Sequence, residues 1–178
     1  MTGLPWVWRA TADEVAADYA CDAFVDGPSV GCFRAADSTA GADELFRWFC
    51  QLRLAPYSYD LLDNSGKRSP RTLSPELQDL ELGQEFMRIF RLVDFTPGRQ
   101  VTLKISHPRS RRLFGDLAVS YTARSVEGGS RLVAKLALPV EDGPLEAVRR
   151  YLLAWGDLLM MQKQVRTLAW LANQSVAT

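Results

Sequence analysis

The sequence is poor in the side chains that most metal sites, disulfide frameworks and nucleophilic enzymes require. It has one histidine, His107, and three scattered cysteines, Cys21, Cys32 and Cys50. The cysteines form no CxxC pair, which argues against a disulfide framework or a zinc knuckle, and Cys50 lies in an apolar stretch typical of a buried thiol. His107 lies in a turn-like HPRS stretch, an unfavourable place for the base of a catalytic triad. We therefore expect no metal site and no Ser-His-Asp or Cys-His unit.

The chain also lacks net charge, long apolar runs and phosphate-binding motifs. Its 21 Lys and Arg residues balance 21 Asp and Glu residues, so no global field attracts nucleic acid or anionic lipid. A basic cluster at residues 104–112 fits a solvated turn better than a phosphate site. The sequence shows no apolar run of about 18 residues, no signal-peptide layout, no GxGxxG and no GxxxxGK[ST]. These absences predict a cytoplasmic protein with no cofactor, no nucleic acid partner and no stable membrane insertion.

What is present is the pattern of an α+β domain. The chain is long enough for a single domain, and its apolar fraction of 47% is ordinary for a globular protein. A capping box of Thr11 and Glu14 predicts a short helix, and a strand at Ser29–Ala36 precedes a helix whose apolar face includes Leu45 and Phe49. Four further strands, rich in Val, Ile, Phe, Leu and Thr, are separated by turn signals. They are Gln84–Phe95, Val101–Ile105, Leu117–Ser125 and Arg131–Pro139.

Alternation along the third of these strands predicts a sheet with one buried and one solvent-exposed face. Val119 and Tyr121 project to one side, whereas Ser120 and Thr122 project to the other. Tight turns between successive strands predict an antiparallel meander.

A long helix from Pro144 to Ala172 is the clearest element, and Asp142 is its predicted N-cap. At about 1.5 Å per residue it is long enough to cross a whole domain. Its apolar residues form two groups that are rotated away from each other, so we expect the helix to bend or to contact two surfaces. Gly156 lies near the change-over and marks a kink or a close approach. The first group comprises Leu145, Val148, Leu152, Trp155 and Leu159, and the second Val165, Leu168, Ala169 and Ala172.

This order of elements is that of a helix-grip fold, in which a curved antiparallel sheet wraps around a long C-terminal helix. Residues 48–71, WFCQLRLAPYSYDLLDNSGKRSPR, and residues 83–98, GQEFMRIFRLVDFTPG, resemble the SRPBCC superfamily. That superfamily includes START-related lipid-transfer proteins, polyketide cyclases and dehydrases, and birch-pollen-allergen-like proteins. The second stretch resembles an uncharacterised bacterial branch. The resemblance covers residues 29–172, so we divide the chain into an N-terminal extension, residues 1–28, packing on a single domain, residues 29–178.

The resemblance implies a START-like cavity between the sheet and the C-terminal helix that binds a small hydrophobic ligand, such as a lipid, a polyketide or an aromatic metabolite. A single cylinder does not fill the concave face of a curved sheet, and unfilled apolar space suits such a ligand. Each candidate is also an ordinary core residue type, and the strand candidates depend on the sheet register. The candidates for the cavity wall are Met87, Phe90, Tyr121, Trp155, Leu159 and Met160.

Residues 53–71 are the candidate rim of this cavity. Tyr57 or Tyr59 suits a hydroxyl contact to the ligand with a buried ring, although packing explains both equally well. Arg53 has three interpretations: snorkelling, capping of helix carbonyls, or binding of an acidic ligand group. Ion pairs and turn chemistry account for most of the charged residues in this stretch.

Three functional interpretations remain open at this stage. The first is a ligand-binding protein, and the second is an enzyme of the polyketide cyclase/dehydratase type with a cavity tyrosine or carboxylate as acid/base. The third is an interaction module, which predicts a closed core and a large exposed apolar patch. The sequence leaves the catalytic residues and the choice between monomer and homodimer undecided.

Overall fold

The structure, a computed structural model, describes residues 3–58, 68–140 and 142–176. Its seven strands form one curved, unclosed sheet in the order β1-β2-β7-β6-β5-β4-β3. All neighbouring pairs are antiparallel except the first, which is parallel. The strands are β1 (Val7–Trp8), β2 (Ser29–Ser38), β3 (Glu85–Phe86), β4 (Phe90–Thr96), β5 (Gln100–Ile105), β6 (Ala118–Val126) and β7 (Gly129–Pro139).

A long C-terminal helix and shorter helices complete the fold. The long helix, α4, contacts β2, β7 and α2, so the sheet wraps around it as a helix-grip fold requires. The α+β helix-grip architecture predicted from the sequence is therefore confirmed. The helices are α1 (Ala12–Ala16), α2 (Ala42–Cys50), α3 (Pro108–Phe114) and α4 (Pro144–Val176), with 3-10 turns at Ala20–Phe24, Gln51–Arg53 and Pro75–Gln78.

Two local predictions differ from the structure. The predicted strand Gln84–Phe95 is a hairpin of β3 and β4, because Met87 and Arg88 adopt φ angles of 47° and 65° and reverse the chain. Neither residue is the glycine or asparagine that usually signals such a turn. The HPRS turn is instead the start of α3, with Pro108 at its first turn and Gly115 as its C-cap at φ 86°.

The N-terminal segment pairs with the edge of the sheet, where Trp6 and Trp8 reach α4, and then covers part of the face opposite to α4. Val7 and Trp8 pair with β2, and the 3-10 turn at Ala20–Phe24 lies over β6. The backbone N–H of Cys21 donates to Ser120 Oγ at 2.9 Å, and the Ser120 side chain is buried. The prediction that this face of β6 is exposed to solvent is therefore wrong at Ser120, because residues of the N-terminal segment pack on it.

Helix α4 has two halves with different environments. In the C-terminal half, Val165, Leu168 and Ala172 are buried in the main core with residues of α2 and the sheet. In the N-terminal half, the apolar stripe is exposed, with Leu145 77% and Leu152 63% accessible. The predicted rotation between the two apolar groups is present, but periodicity alone did not reveal that the first group faces solvent.

Gly156 gives a prediction for helix stability. A Cβ at this position would meet nothing within 4 Å, and the residue lies within α4 with an exposed surface. Gly156→Ala is therefore expected to raise the free energy of unfolding by about 1 kcal/mol, because alanine loses less backbone entropy in a helix. Urea denaturation measures this change, and an unchanged or lower stability would show that the position needs glycine.

Candidate functional site: a cavity between sheet and helix

A cavity of about 470 Å³ lies between the sheet and the N-terminal half of α4. This volume is in the range of small-molecule sites. The exposed residues Arg88, Leu152 and Gly156 belong to its wall, so the cavity opens to solvent beside them. The wall comprises Pro56, Ser58, Met87, Arg88, Ile89, Phe90, Ile105, Phe114, Leu117, Val119, Tyr121, Leu136, Leu138, Leu152, Leu153, Gly156, Asp157, Met160, Met161 and Gln164.

The cavity wall is built from the facing sides of the sheet and of α4. Strands β5, β6 and β7 supply Ile105, Val119 and Leu136 from the face directed at α4. Alternation along each strand places every second side chain on this face, which explains the apolar floor. Helix α4 contributes Leu153, Met160 and other residues spaced three or four apart, which lie along one side of the helix.

A buried ion pair is the first of two polar clusters in this mainly apolar site. Asp157 lies in the cavity wall, and its Oδ2 is 2.6 Å from Nη2 of Arg34 on β2. The side chains are 10% and 0% exposed, respectively. Arg34 also donates to the backbone carbonyls of Trp6, Phe33 and Ala154. The carbonyls hold the guanidinium in place, and the guanidinium in turn holds the carboxylate at the cavity wall.

A second polar cluster links Tyr121 to the rim segment. The Tyr121 hydroxyl donates to Oε1 of Gln164 at 2.7 Å and approaches Sδ of Met161 at 3.5 Å. Gln164 donates from Nε2 to the carbonyl of Pro56 at 2.5 Å, and to Sδ of Met87 at 3.4 Å. This chain of bonds ties α4, β6 and the rim together, and it leaves both side chains satisfied.

Burial changes the proton affinities of both clusters. Loss of hydration raises the pKa of Asp157 to about 6, even though the charge of Arg34 opposes this rise. Burial also raises the pKa of Tyr121, with a further contribution from the charge of Asp157. At neutral pH the site therefore presents an ionised but poorly hydrated carboxylate beside a protonated phenol.

Four predicted residues lie in the cavity wall, namely Met87, Phe90, Tyr121 and Met160. Trp155 and Leu159 do not line the cavity and are 37% and 52% exposed, which corrects their predicted placement. The physical reason is the helix period, since the cavity-facing side of α4 carries Leu153, Met160 and their polar neighbours. Of the apolar stripe that contains Trp155 and Leu159, Leu152 borders the cavity, whereas Trp155 and Leu159 lie outside its wall.

The predicted rim residues have different positions. Arg53 donates to the carbonyls of Leu77 and Asp79, at 3.3 and 3.5 Å, so it satisfies backbone groups rather than facing the cavity. Tyr57 is buried with its ring 5.9 Å from the ring of Trp48, and it is not part of the cavity wall, although its chain neighbours are. Tyr59 lies outside the described residues.

Sequence reasoning missed Arg34, Asp157 and Gln164. An arginine within the apolar strand segment CFRAA was a visible signal, because an unpaired cation is rarely buried in a sheet. Asp157 follows Gly156 in an otherwise apolar stretch of α4 and gave a weaker signal. Their pairing joins residues that are distant in sequence, and helical or strand periodicity carries no information about it.

Within the part of the chain that the structure describes, no group of three or more His, Cys, Asp or Glu residues is placed to hold a metal ion. The three thiols are buried, and burial raises the pKa of Cys32 and of Cys50 to about 12, which disfavours the reactive thiolate. In the same described ranges, no helix has both the length and the apolar character that crossing a bilayer requires.

Comparison with solved structures supports the fold. The chain is similar to the di-domain ARO/CYC StfQ from the steffimycin biosynthetic pathway, with 14% identity and a TM-score of 0.51 over 84% of this chain and 52% of that one. A protein from Rhodobacter sphaeroides gives 15% identity and a TM-score of 0.51 over 85% and 96% of the two chains. One from Nitrosomonas europaea gives 12% and 0.50 over 83% and 97%.

These similarities establish the fold alone, which is the helix-grip fold of a curved sheet around a long C-terminal helix. No family model matches the sequence, and no curated protein matches it. The function must therefore be argued from the site itself, because one fold serves carriers, receptors and enzymes.

Proposed function

We propose that this protein binds a small, mainly apolar molecule in the cavity between the sheet and α4. The observation that carries the proposal is a 470 Å³ space whose wall is formed largely by Ile, Leu, Val, Met and Phe side chains. Each 100 Å² of apolar ligand surface removed from water would contribute about 2.5 kcal/mol to binding. Flexible methionines at 87, 160 and 161 suit a wall that adapts to ligands of different shape.

The similarity to StfQ supports this proposal at the level of fold only. The proposal includes the class of ligand, which is a lipid, a polyketide or an aromatic metabolite. It also includes the cytoplasmic location and the contacts of the wall residues with the ligand. The division at residue 28 and the choice between monomer and homodimer stay predictions.

Val119→Phe gives a direct test of the cavity as the binding site. Val119 is buried in the cavity floor on β6, so the larger ring would occupy space that the ligand needs. We expect at least a tenfold loss of affinity for 2-methoxynaphthalene, a neutral apolar probe, measured by calorimetry. Mass spectrometry of the native protein should also show less co-purifying small molecule in this variant.

Val126→Phe is the matched control, since it makes the same substitution on the same strand at a position that is 47% exposed. It should leave probe affinity unchanged. Equal affinities in wild type and Val119→Phe, or a wild-type protein that binds neither the probe nor any molecule from cell extract, would contradict the proposal.

A second candidate is an enzyme of the cyclase/dehydratase type. The observation that favours it is Asp157, a cavity carboxylate with a pKa of about 6, whose charge acts on the buried phenol of Tyr121. A group with this pKa exchanges protons readily near neutral pH, as a general acid or base must. Asp157→Asn and Tyr121→Phe would then abolish conversion of a bound polyketide while binding persists. Binding without any conversion by wild type would favour the carrier instead.

The interaction-module alternative predicts a closed core with an exposed apolar patch. The structure has an exposed stripe on α4 but also an open cavity. The open cavity favours ligand binding over this alternative.

A further inference from the structure

The buried polar groups of the cavity wall differ in the hydrogen-bonding capacity that they leave free for a ligand. The hydroxyl of Tyr121 already donates to Oε1 of Gln164. The amide of Gln164 already donates to the Pro56 carbonyl and to Sδ of Met87. The donors of these two side chains are therefore committed within the protein. What Tyr121 retains towards the cavity is acceptor capacity on its oxygen.

Asp157 adds a stronger acceptor. Its side chain is nine-tenths buried in the cavity wall, and its Oδ2 lies 2.6 Å from Arg34. Beyond this ion pair, no described residue donates a hydrogen bond to Oδ2, which is one of few such buried atoms in the described part of the chain. A buried carboxylate normally collects two or three hydrogen bonds, so Asp157, which lies in the cavity wall, retains acceptor capacity for a donor on the ligand.

Arg34 does not serve the ligand directly. It is absent from the cavity wall, and its side chain is fully buried. Its Nη1 and Nη2 donors go to Asp157 and to three backbone carbonyls, and its Nε has no partner among the described residues. The ion pair as a whole is neutral, so it does not demand a cationic ligand. The groups whose charge or proton affinity is coupled to Asp157 are Arg34, Cys32 and Tyr121.

We infer that the ligand is a neutral, mainly apolar molecule that carries a hydroxyl or similar hydrogen-bond donor, which Asp157 accepts. This inference rests on the proposed binding function and narrows its ligand class. It excludes ligands that place a carboxylate against Asp157, such as free fatty acids bound by their head group. A carboxylate there would be desolvated beside another carboxylate, which is strongly unfavourable.

The test compares three probes of the same shape at pH 7.5: 2-naphthol, 2-methoxynaphthalene and 2-naphthoate. A hydrogen bond to a buried carboxylate is expected to make 2-naphthol bind about tenfold to hundredfold tighter than the methyl ether in calorimetric titration. The affinity of 2-naphthoate should be about a hundredfold or more below that of 2-naphthol. Equal affinities, or 2-naphthoate binding tightest, would overturn the inference.

Two variants show whether Asp157 sets this order. In Asp157→Ala the cavity gains access to an unpaired Arg34, so 2-naphthoate is expected to become the tightest ligand and to raise the melting temperature most. The double variant Arg34→Met/Asp157→Leu removes both charges and should bind 2-naphthol and its ether equally. If Asp157→Ala does not fold, the double variant supplies the same test of Asp157. A preference for 2-naphthol that survives in the double variant would contradict a role of Asp157.

Arg91 provides a control outside the cavity. It is an exposed cation on β4 that is not part of the cavity wall, and solvent screens its charge. Arg91→Met should leave the order of the three probes unchanged, and a reversed order would overturn the assignment to Asp157. If wild type binds none of the three probes, the proposed binding function fails. If 2-methoxynaphthalene binds as tightly as 2-naphthol, only the donor requirement fails.

Discussion

Replacement of Arg34 by methionine is expected to lower the free energy of unfolding at pH 7.5 by about 3–5 kcal/mol. The side chain of Asp157 is 10% exposed, and without Arg34 its charge would remain buried with no counter-ion. The carbonyls of Trp6, Phe33 and Ala154 would also lose their guanidinium donor. Urea denaturation of wild type and variant measures the difference.

A double-mutant cycle separates the ion pair from packing. Arg34→Met/Asp157→Leu replaces both charges with apolar groups, and it should recover most of the stability that the single variant loses. Arg47→Met is the control, because Arg47 is half exposed and pairs with Glu44 on the same helix. It should cost about 0.5 kcal/mol or less. A loss of that size in Arg34→Met would show that the buried pair adds little.

The second large effect is a pH dependence that comes from Asp157. Its pKa is raised from the ordinary value of 3.8 to about 6, so the folded state binds a proton more tightly than the unfolded state does. This contribution to stability is complete below about pH 4 and is lost as the pH rises through 6. With a shift of about two units, wild type should lose about 3 kcal/mol of stability relative to Asp157→Asn across this window.

The comparison with Asp157→Asn isolates this group from other carboxylates. The pKa of Glu14 is lowered by its hydrogen bonds and ion pair with Arg131, against the effect of burial, so Glu14 has the opposite pH dependence. Because wild type and variant share Glu14, its effect cancels in the difference. A difference in stability that stays constant from pH 4 to pH 7, in urea titrations at each pH, would show that Asp157 does not titrate in this window.

The element order and the antiparallel meander of β4 to β7 were predictable because they follow from local patterns. Alternation in β6 identified Val119 and Tyr121 as inward residues, and turn residues marked most strand ends. The caps and apolar periodicity of α4 located its start at Pro144. The resemblance at residues 48–71 and 83–98 added the helix-grip arrangement, which local patterns alone do not specify.

The polar part of the site was not predictable from the same signals. Periodicity assigns apolar stripes to the interior, yet in the first half of α4 the stripe with Trp155 and Leu159 is exposed, while Asp157 faces the cavity. This inversion depends on Arg34, which reaches Asp157 from β2 across the fold. A single sequence does not reveal such a pairing, since the free energy of the pair depends on three-dimensional contact.

The methionine methyl groups offer the most direct measurement of whether a ligand enters the cavity between the sheet and α4. Met87, Met160 and Met161 all belong to the cavity wall, so ¹³C-labelled methyl resonances, assigned by single Met→Leu variants, report on its contents. We predict that saturating 2-naphthol shifts all three resonances through the ring current of the bound aromatic, and that Val119→Phe suppresses these shifts. If 2-naphthol binds but leaves all three resonances unchanged, it binds elsewhere, and this result would contradict the proposed site.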